Sequence, residues 1–250
     1  MPDSLLITGI SQLLTLARRA PRRGRTLSNL GIIKDGALLV RDGVVVAVGT
    51  RTEVEARPES CVAEKRDLEG RVALPGFVDS HTHLIHAASR VEDYEQRIAG
   101  TSYEEIACKG GGILSSLRKL RAATADALKQ RACAALKQFA AHGTTTIEVK
   151  SGYGLNLESE LKILRLHCEL QNEQPLEIVS TFLGAHAVPP EYRRERQGAD
   201  KYVEFLANQA IPEVAREGLA ASCAVFCDRG AVTIRQARGV VPAGRACGLV

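Results

Sequence analysis

The chain has 250 residues, enough to bury a large core as one domain with a small appendage. Its 33 basic and 29 acidic residues leave a formal charge of +4, too balanced to argue for nucleic acid, and the absence of Trp removes any stacking platform for bases. No apolar run approaches the roughly 20 residues of a membrane helix, so neither a nucleic-acid nor a membrane partner is expected.

The first apolar stretch, residues 5–17, has its basic residues behind it, the reverse of a secretory signal. Within it, residues 5–10 and 13–17 read as two strands. The basic cluster Arg18, Arg19, Arg22, Arg23 and Arg25 contains Pro21 and Gly24 and reads as a solvated loop. Ala37-Leu38-Leu39-Val40 and Val44-Val45-Val46-Ala47-Val48 flank Asp42-Gly43, which predicts a hairpin. No helical periodicity is visible here, and residues 1–70 read as part of a small β domain.

From residue 71 onward strands alternate with helices. Thr124 caps a helix with Leu128, Ala132, Ala135, Leu136 and Phe139 on one face and Gly143 as its stop. Residues 144–149 form the next strand. Leu157, Leu161, Leu164 and Cys168 mark a second helix before a strand at 177–183. A third helix at 199–217 contains Pro212, which should kink or split it. The stretch 223–227 reads as a fourth, buried strand in which Cys223 and Cys227 pack as small apolar groups. The segment 233–247 has one amphipathic face, yet Gly239 and Pro242 fall inside it. Seven irregularly spaced cysteines, an odd number, suit a reduced cytoplasmic protein.

The chemistry-bearing residues cluster at strand ends. Leu74-Pro75-Gly76-Phe77-Val78-Asp79-Ser80-His81-Thr82-His83 is an apolar strand ending in two histidines one residue apart. Alternate side chains of a strand share a face, so His81 and His83 can address one metal ion. Lys150-Ser151-Gly152-Tyr153 ends the second strand, Gly184-Ala185-His186 the third and Cys227-Asp228 the fourth. Four clusters at carboxyl ends predict an α/β fold of the (β/α)8 type, since a doubly wound sheet concentrates its ligand at one switch point. His142 and His167 lie on helices and are not expected to be ligands. The run Gly110-Gly111-Gly112 lacks the lysine and serine of a phosphate loop and reads as a flexible loop at the site.

These motifs, with Arg90, Thr101-Ser102-Tyr103-Glu104-Glu105-Ile106, Glu148-Val149-Lys150-Ser151-Gly152-Tyr153-Gly154-Leu155 and Thr181-Phe182-Leu183-Gly184-Ala185-His186, resemble the imidazolonepropionase family. That family belongs to the amidohydrolase superfamily and opens a ring in histidine degradation. The resemblance covers nearly the whole chain. It implies a partial TIM-like barrel over residues 71–250 beside a small β-sandwich portion at 1–70. It also implies one divalent metal, zinc or iron, held by His81 and His83. Arg90 would take the substrate's propionate, and Tyr153 and His186 would contact the rest of the molecule. The small-molecule substrate would be 4-imidazolone-5-propanoate, hydrolysed to N-formimidoyl-L-glutamate, and the assembly a homodimer. Lys150 resembles the carboxylated lysine of two-metal relatives, but its neighbours match the one-metal family. His86 stands where the family carries an apolar aromatic and reads as a packing substitution.

The family's third metal histidine, its acid–base residues and its aspartate ligand are expected past residue 250. A catalytic zinc wants about three protein ligands, and two are present. The alternatives are another cyclic amidine or amide hydrolase of the superfamily, or an inactive remnant.

Overall fold

The computed structural model describes residues 4–17, 21–228 and 231–250, with the side chains of all of these but 103, 104 and 107. The chain separates into two units, Met1–Gly76 and Phe77–Val250.

The first unit is a five-stranded sheet. β1 (Ser4–Leu14) pairs antiparallel with β2 (Ile32–Arg41), which pairs antiparallel with β3 (Val44–Thr50). On its other side β1 runs parallel to β4 (Glu64–Asp67) and β5 (Val72–Ala73). The two strands expected at 5–10 and 13–17 are one. The register shifts between Ile7 and Ile10, and Gly9 takes φ +66° within that shift, so the chain bends there without ending its pairing. Asp42 and Gly43 both have positive φ, as the tight turn of a two-residue hairpin requires. Sequence periodicity missed the short helix α1 (Arg51–Glu55), although Thr50 and Glu53 form a reciprocal capping box at its start. Leu6, Leu39 and Val54 centre the unit's small core. In the basic segment, residues 24–28 form one exposed 3-10 turn, and Arg18 and Arg19 lie outside the described residues.

The second unit carries a parallel sheet of β6 (Phe77–Thr82), β7 (Thr144–Lys150), β8 (Glu177–Ala185) and β9 (Ser222–Val225), paired in that order. Consecutive strands are neighbours throughout, with no reversal of order, which is half of an eight-stranded barrel rather than a doubly wound sheet. Beyond β9, Val250 donates to the Ala221 carbonyl and accepts from the Cys223 amide, a single parallel rung on that edge.

Helices α5 (Ala125–Ala141), α6 (Leu157–Glu173) and α10 (Ile234–Ala246) follow β6, β7 and β9. Thr124 caps α5 as its sequence predicts, and Gly143 turns out of it at φ +84°. Between β6 and α5 lie three further helices, α2 (Val91–Ile98), α3 (Tyr103–Cys108) and α4 (Gly112–Ala122). The triple glycine is therefore not a free loop. Gly112 opens α4 and donates its amide to Asp93, and a Cβ on Gly111 would stand 2.7 Å from Ile106 Cγ2.

The segment between β8 and β9 contains α7 (Pro190–Arg193), α8 (Gly198–Phe205) and α9 (Ile211–Arg216). Pro212 falls in the first turn of α9, and residues 206–210 before it widen into a π-turn that joins α8 to α9. The expected split is thus a local widening, which absorbs the missing proline donor without breaking the rod. Helix α10 runs unbroken through Gly239 and Pro242, held at its start by the Thr233–Gln236 capping box. β9 is shorter than expected, so Cys223 lies half-buried on it while Cys227 is exposed beyond its end.

His167 sits on the buried side of α6, its Nδ1 2.8 Å from Ser180 Oγ and its Nε2 without a partner. Burial pushes its pKa down from 6.5 to about 3. The folded chain then binds fewer protons than the unfolded one, so this contribution to stability is whole above the unfolded value and drains away as pH falls below it. The urea midpoint of the chain should fall between about pH 7 and about pH 4, and His167→Gln should flatten that fall. An unchanged pH slope in the variant would contradict the assignment.

Candidate active site

β7 sets the orientation of the site. Ile147 and Val149 pack into the core against α5 and α6, so the alternate residues Glu148 and Lys150 occupy the other face of the sheet. Thr82 is in register with Val149, and its hydroxyl donates to the Glu148 carbonyl at 2.8 Å. His81 and His83 therefore share the face of Glu148 and Lys150. Lys150 is ion-paired with Glu148, both largely buried, and the second Glu148 oxygen is buried without a hydrogen bond.

The imidazoles of His81 and His83 have centroids 5.8 Å apart at 69°. His83 is central to the site. His186 stacks on it at 4.9 Å and 6°, and the Tyr153 ring lies 4.7 Å away. Tyr153 and His186 are 5.4 Å apart, and Phe226, just past β9, sets its edge on His186. Arg90, at the start of α2, donates from Nη2 to the Tyr153 phenol at 3.3 Å, with its guanidinium 5.9 Å from that ring. Three strand ends and one helix start thus bring all five predicted site residues into one continuous set of contacts.

Burial pushes the His83 pKa down to about 3, and His186, His81, Lys150 and Arg90 add to the effect. His186 is lowered to about 4, chiefly by burial and against the hydrogen bond it makes to Gly152. Both rings are neutral near pH 7. The Nδ1 of His186 lies 2.9 Å from the Gly152 carbonyl, which can only accept, so Nδ1 carries the proton and Nε2 is an acceptor.

A metal fits this donor set in part. Neutral imidazoles are the right chemistry for a borderline divalent ion, and His83 Nδ1 is buried with no hydrogen bond to occupy it. Yet no third His, Cys, Asp or Glu joins the pair among the described residues. His86 is half-buried, with its Nδ1 3.1 Å from the Leu84 carbonyl, and His142 ends α5. A cleft of about 370 Å³ beside His167 and an apolar cavity of about 580 Å³ in the first unit contain none of the site residues.

Two residues were not singled out by sequence. Phe226 follows a strand and gave no signal. Glu160 did give one, as an acid on the apolar face of α6 between Leu157 and Leu164.

Comparison with known proteins places the chain. It is 44% identical to an imidazolonepropionase of Symbiobacterium thermophilum over 252 residues, covering 99% of this chain and 58% of that protein. It is 43% identical to an imidazolonepropionase of Geobacillus kaustophilus, over 98% of this chain and 58% of that one. By sequence, the chain is similar to imidazolonepropionases over nearly its whole length. It spans a little under three-fifths of the length of the curated relatives it matches. No family model matches it. Among solved structures, E. coli guanine deaminase aligns with TM-score 0.54 at 16% identity, over 91% of this chain and 44% of that one. A 5-methylcytosine deaminase from Klebsiella pneumoniae aligns with TM-score 0.54 at 18% identity, over 98% and 56%. These likenesses show a shared fold.

Gly152 is a tight point of the site that resembles those of the imidazolonepropionases in its motifs. It has φ +101°, and an added Cβ would stand 2.6 Å from the Leu183 carbonyl and 3.0 Å from His186 Nδ1. Gly152→Ala should cost about 1–3 kcal/mol of stability by urea denaturation, from the strained φ and the clash together. It should also release the His186 ring from its single tautomer, read by its ring-nitrogen NMR shifts. A variant as stable as the parent, with the same shifts, would refute this.

Proposed function

We propose that this chain carries the substrate-holding part of a metal-dependent imidazolone hydrolase, converting 4-imidazolone-5-propanoate and water to N-formimidoyl-L-glutamate. The observation that carries the reading is the convergence of a guanidinium, a phenol and neutral imidazoles at the carboxyl ends of β6, β7 and β8. Arg90 is the carboxylate group's partner: its planar fork matches two oxygens, and its bond to the Tyr153 phenol aims it across the site. Tyr153 and the Nε2 acceptor of His186 address the ring, the latter by taking a ring N–H. Phe226 backs His186 and limits water on that side.

His81 and His83 would hold a divalent ion, zinc or iron, which when bound polarises the ring and activates water for attack. Two imidazoles fall short of the usual set, so these 250 residues alone are read as binding without turnover. The same shortfall supports the reading of a chain inactive by itself. A hydrolase of an uncharged cyclic amidine is the competing reading, and it gives Arg90 no role.

The test joins the chain to the carboxyl-terminal portion of the Symbiobacterium relative, beyond the matched region. The chimera should hydrolyse imidazolonepropionate, and the 250-residue chain should not. In the chimera, Arg90→Ala should raise KM for this substrate by roughly 10- to 100-fold, as for loss of a charge-assisted bond, and leave carboxylate-free analogues untouched. Turnover by the 250 residues alone, or equal losses on both kinds of substrate, would refute the corresponding part.

A further inference from the structure

Ser151, Gly152, Tyr153, Gly154 and Leu155 leave β7 and are too rich in glycine to hold a shape by themselves. Gly152 and Leu155 both have positive φ. What holds them lies one turn into α6. Glu160 is only 2% exposed. Its Oε2 accepts from the Gly152 amide at 2.9 Å, and its Oε1 accepts from the Gly154 and Leu155 amides at 2.8 Å each. The Ser151 hydroxyl accepts from the Leu183 amide at 2.9 Å, tying the start of the loop to β8. From outside, Arg121 donates to the Gly154 carbonyl at 2.7 Å.

We propose that Glu160 is the positioning residue of this site. Its carboxylate fixes the loop that carries Tyr153 and the carbonyl of Gly152, and through that carbonyl it fixes the tautomer of His186. The proposal rests on the functional reading above for what the loop binds, but not for how the loop is held. The residue type follows from the donors. Three backbone amides converge on its two oxygens, and an amide side chain would offer one acceptor oxygen and a clashing NH2 group. An aspartate would hold the charge one methylene too far back. Gly152 is the point of transmission: its N–H faces Glu160 and its C=O faces His186.

The experiment uses the whole 250-residue chain, labelled with nitrogen-15. In the parent, the Gly152, Gly154 and Leu155 amides should exchange as slowly as the core of α6, and His186 should show one tautomer with the proton on Nδ1. In Glu160→Gln those three amides should exchange at least about tenfold faster, and His186 should become a tautomer mixture, while α5 keeps its protection. Leu164→Ala, a cavity on the same helix, should lower the urea midpoint and leave the His186 signature unchanged. Fast exchange in the parent, an unaltered His186 in folded Glu160→Gln, or the same His186 change in Leu164→Ala would each overturn the proposal. If Glu160→Gln does not fold, Glu160→Asp reads the same amides, and unchanged protection there overturns it. Imidazole propionate is then titrated into the parent. Shifts at Arg90 and Tyr153 support the substrate reading; their absence ends that reading and leaves the amides and the tautomer to decide this one.

Discussion

A carboxyl group with almost no exposed surface is costly unless its oxygens are hydrogen-bonded, and both oxygens of Glu160 accept from backbone amides, three in all. Burial raises its pKa and the amide donors lower it, burial having the larger effect, while the hydrogen bonds themselves fix its position. The consequence is a glycine-rich loop that behaves as a rigid one. Without such an anchor, residues 151–155 would lose the order that puts the Tyr153 phenol within hydrogen-bonding reach of Arg90 and the Gly152 carbonyl against His186. The first turn of α6 is well placed for this. Asn156 caps it by accepting from the Ser159 amide, and the positive end of the helix favours an acid there.

The sheet supplies the second constraint. Parallel strands paired in chain order leave their carboxyl ends along one rim, and period-two alternation decides which side chains face the concave side. On β7 this places Glu148 and Lys150 beside the histidine pair, where they neutralise each other in a region that already lowers the basicity of His83. On the proposed reading, neutral imidazoles and the Arg90 guanidinium beside this buried ion pair suit an anionic ligand.

Much of this was legible from the residues. The fold class was, because strand–helix alternation after residue 71 is strong and all four polar clusters fall at strand ends. The convergence of Arg90, Tyr153 and His186 on the histidine pair was reached only through family motifs, since contacts between residues as far apart in sequence as Arg90 and Tyr153, or Tyr153 and His186, leave no local trace. Helices α2 to α4 were missed although Ile113, Leu117 and Leu120 of α4 stand at helical spacing; the triple glycine before them drew the reading toward a loop, while the Asp93 carboxylate accepting from the Gly112 amide orders that start. The fate of Pro212 was half-legible. Sequence marks where the helix must change, but only packing decides whether it breaks or widens into a π-turn. Glu160 was visible as an acid on an apolar stripe, a pattern whose meaning depends on which amides lie opposite.

Holding a substrate and hydrolysing it ask different things of a barrel. Holding needs a few fixed partners, and those named here come from β6, β7, β8 and the start of α2, all within the described residues. Hydrolysis on the proposed reading needs a fully ligated cation and a proton acceptor poised over it, and imidazoles from a single strand supply neither. The site geometry here depends on contacts local to four consecutive strands and on the Glu160 anchor, not on completing the ring of strands. A binding surface of this kind can be preorganised before the remaining ligands are in place, because its order comes from α6 and β7 packing on each other rather than from the metal. On the proposed reading, binding a carboxylated ring and opening it are therefore separable demands.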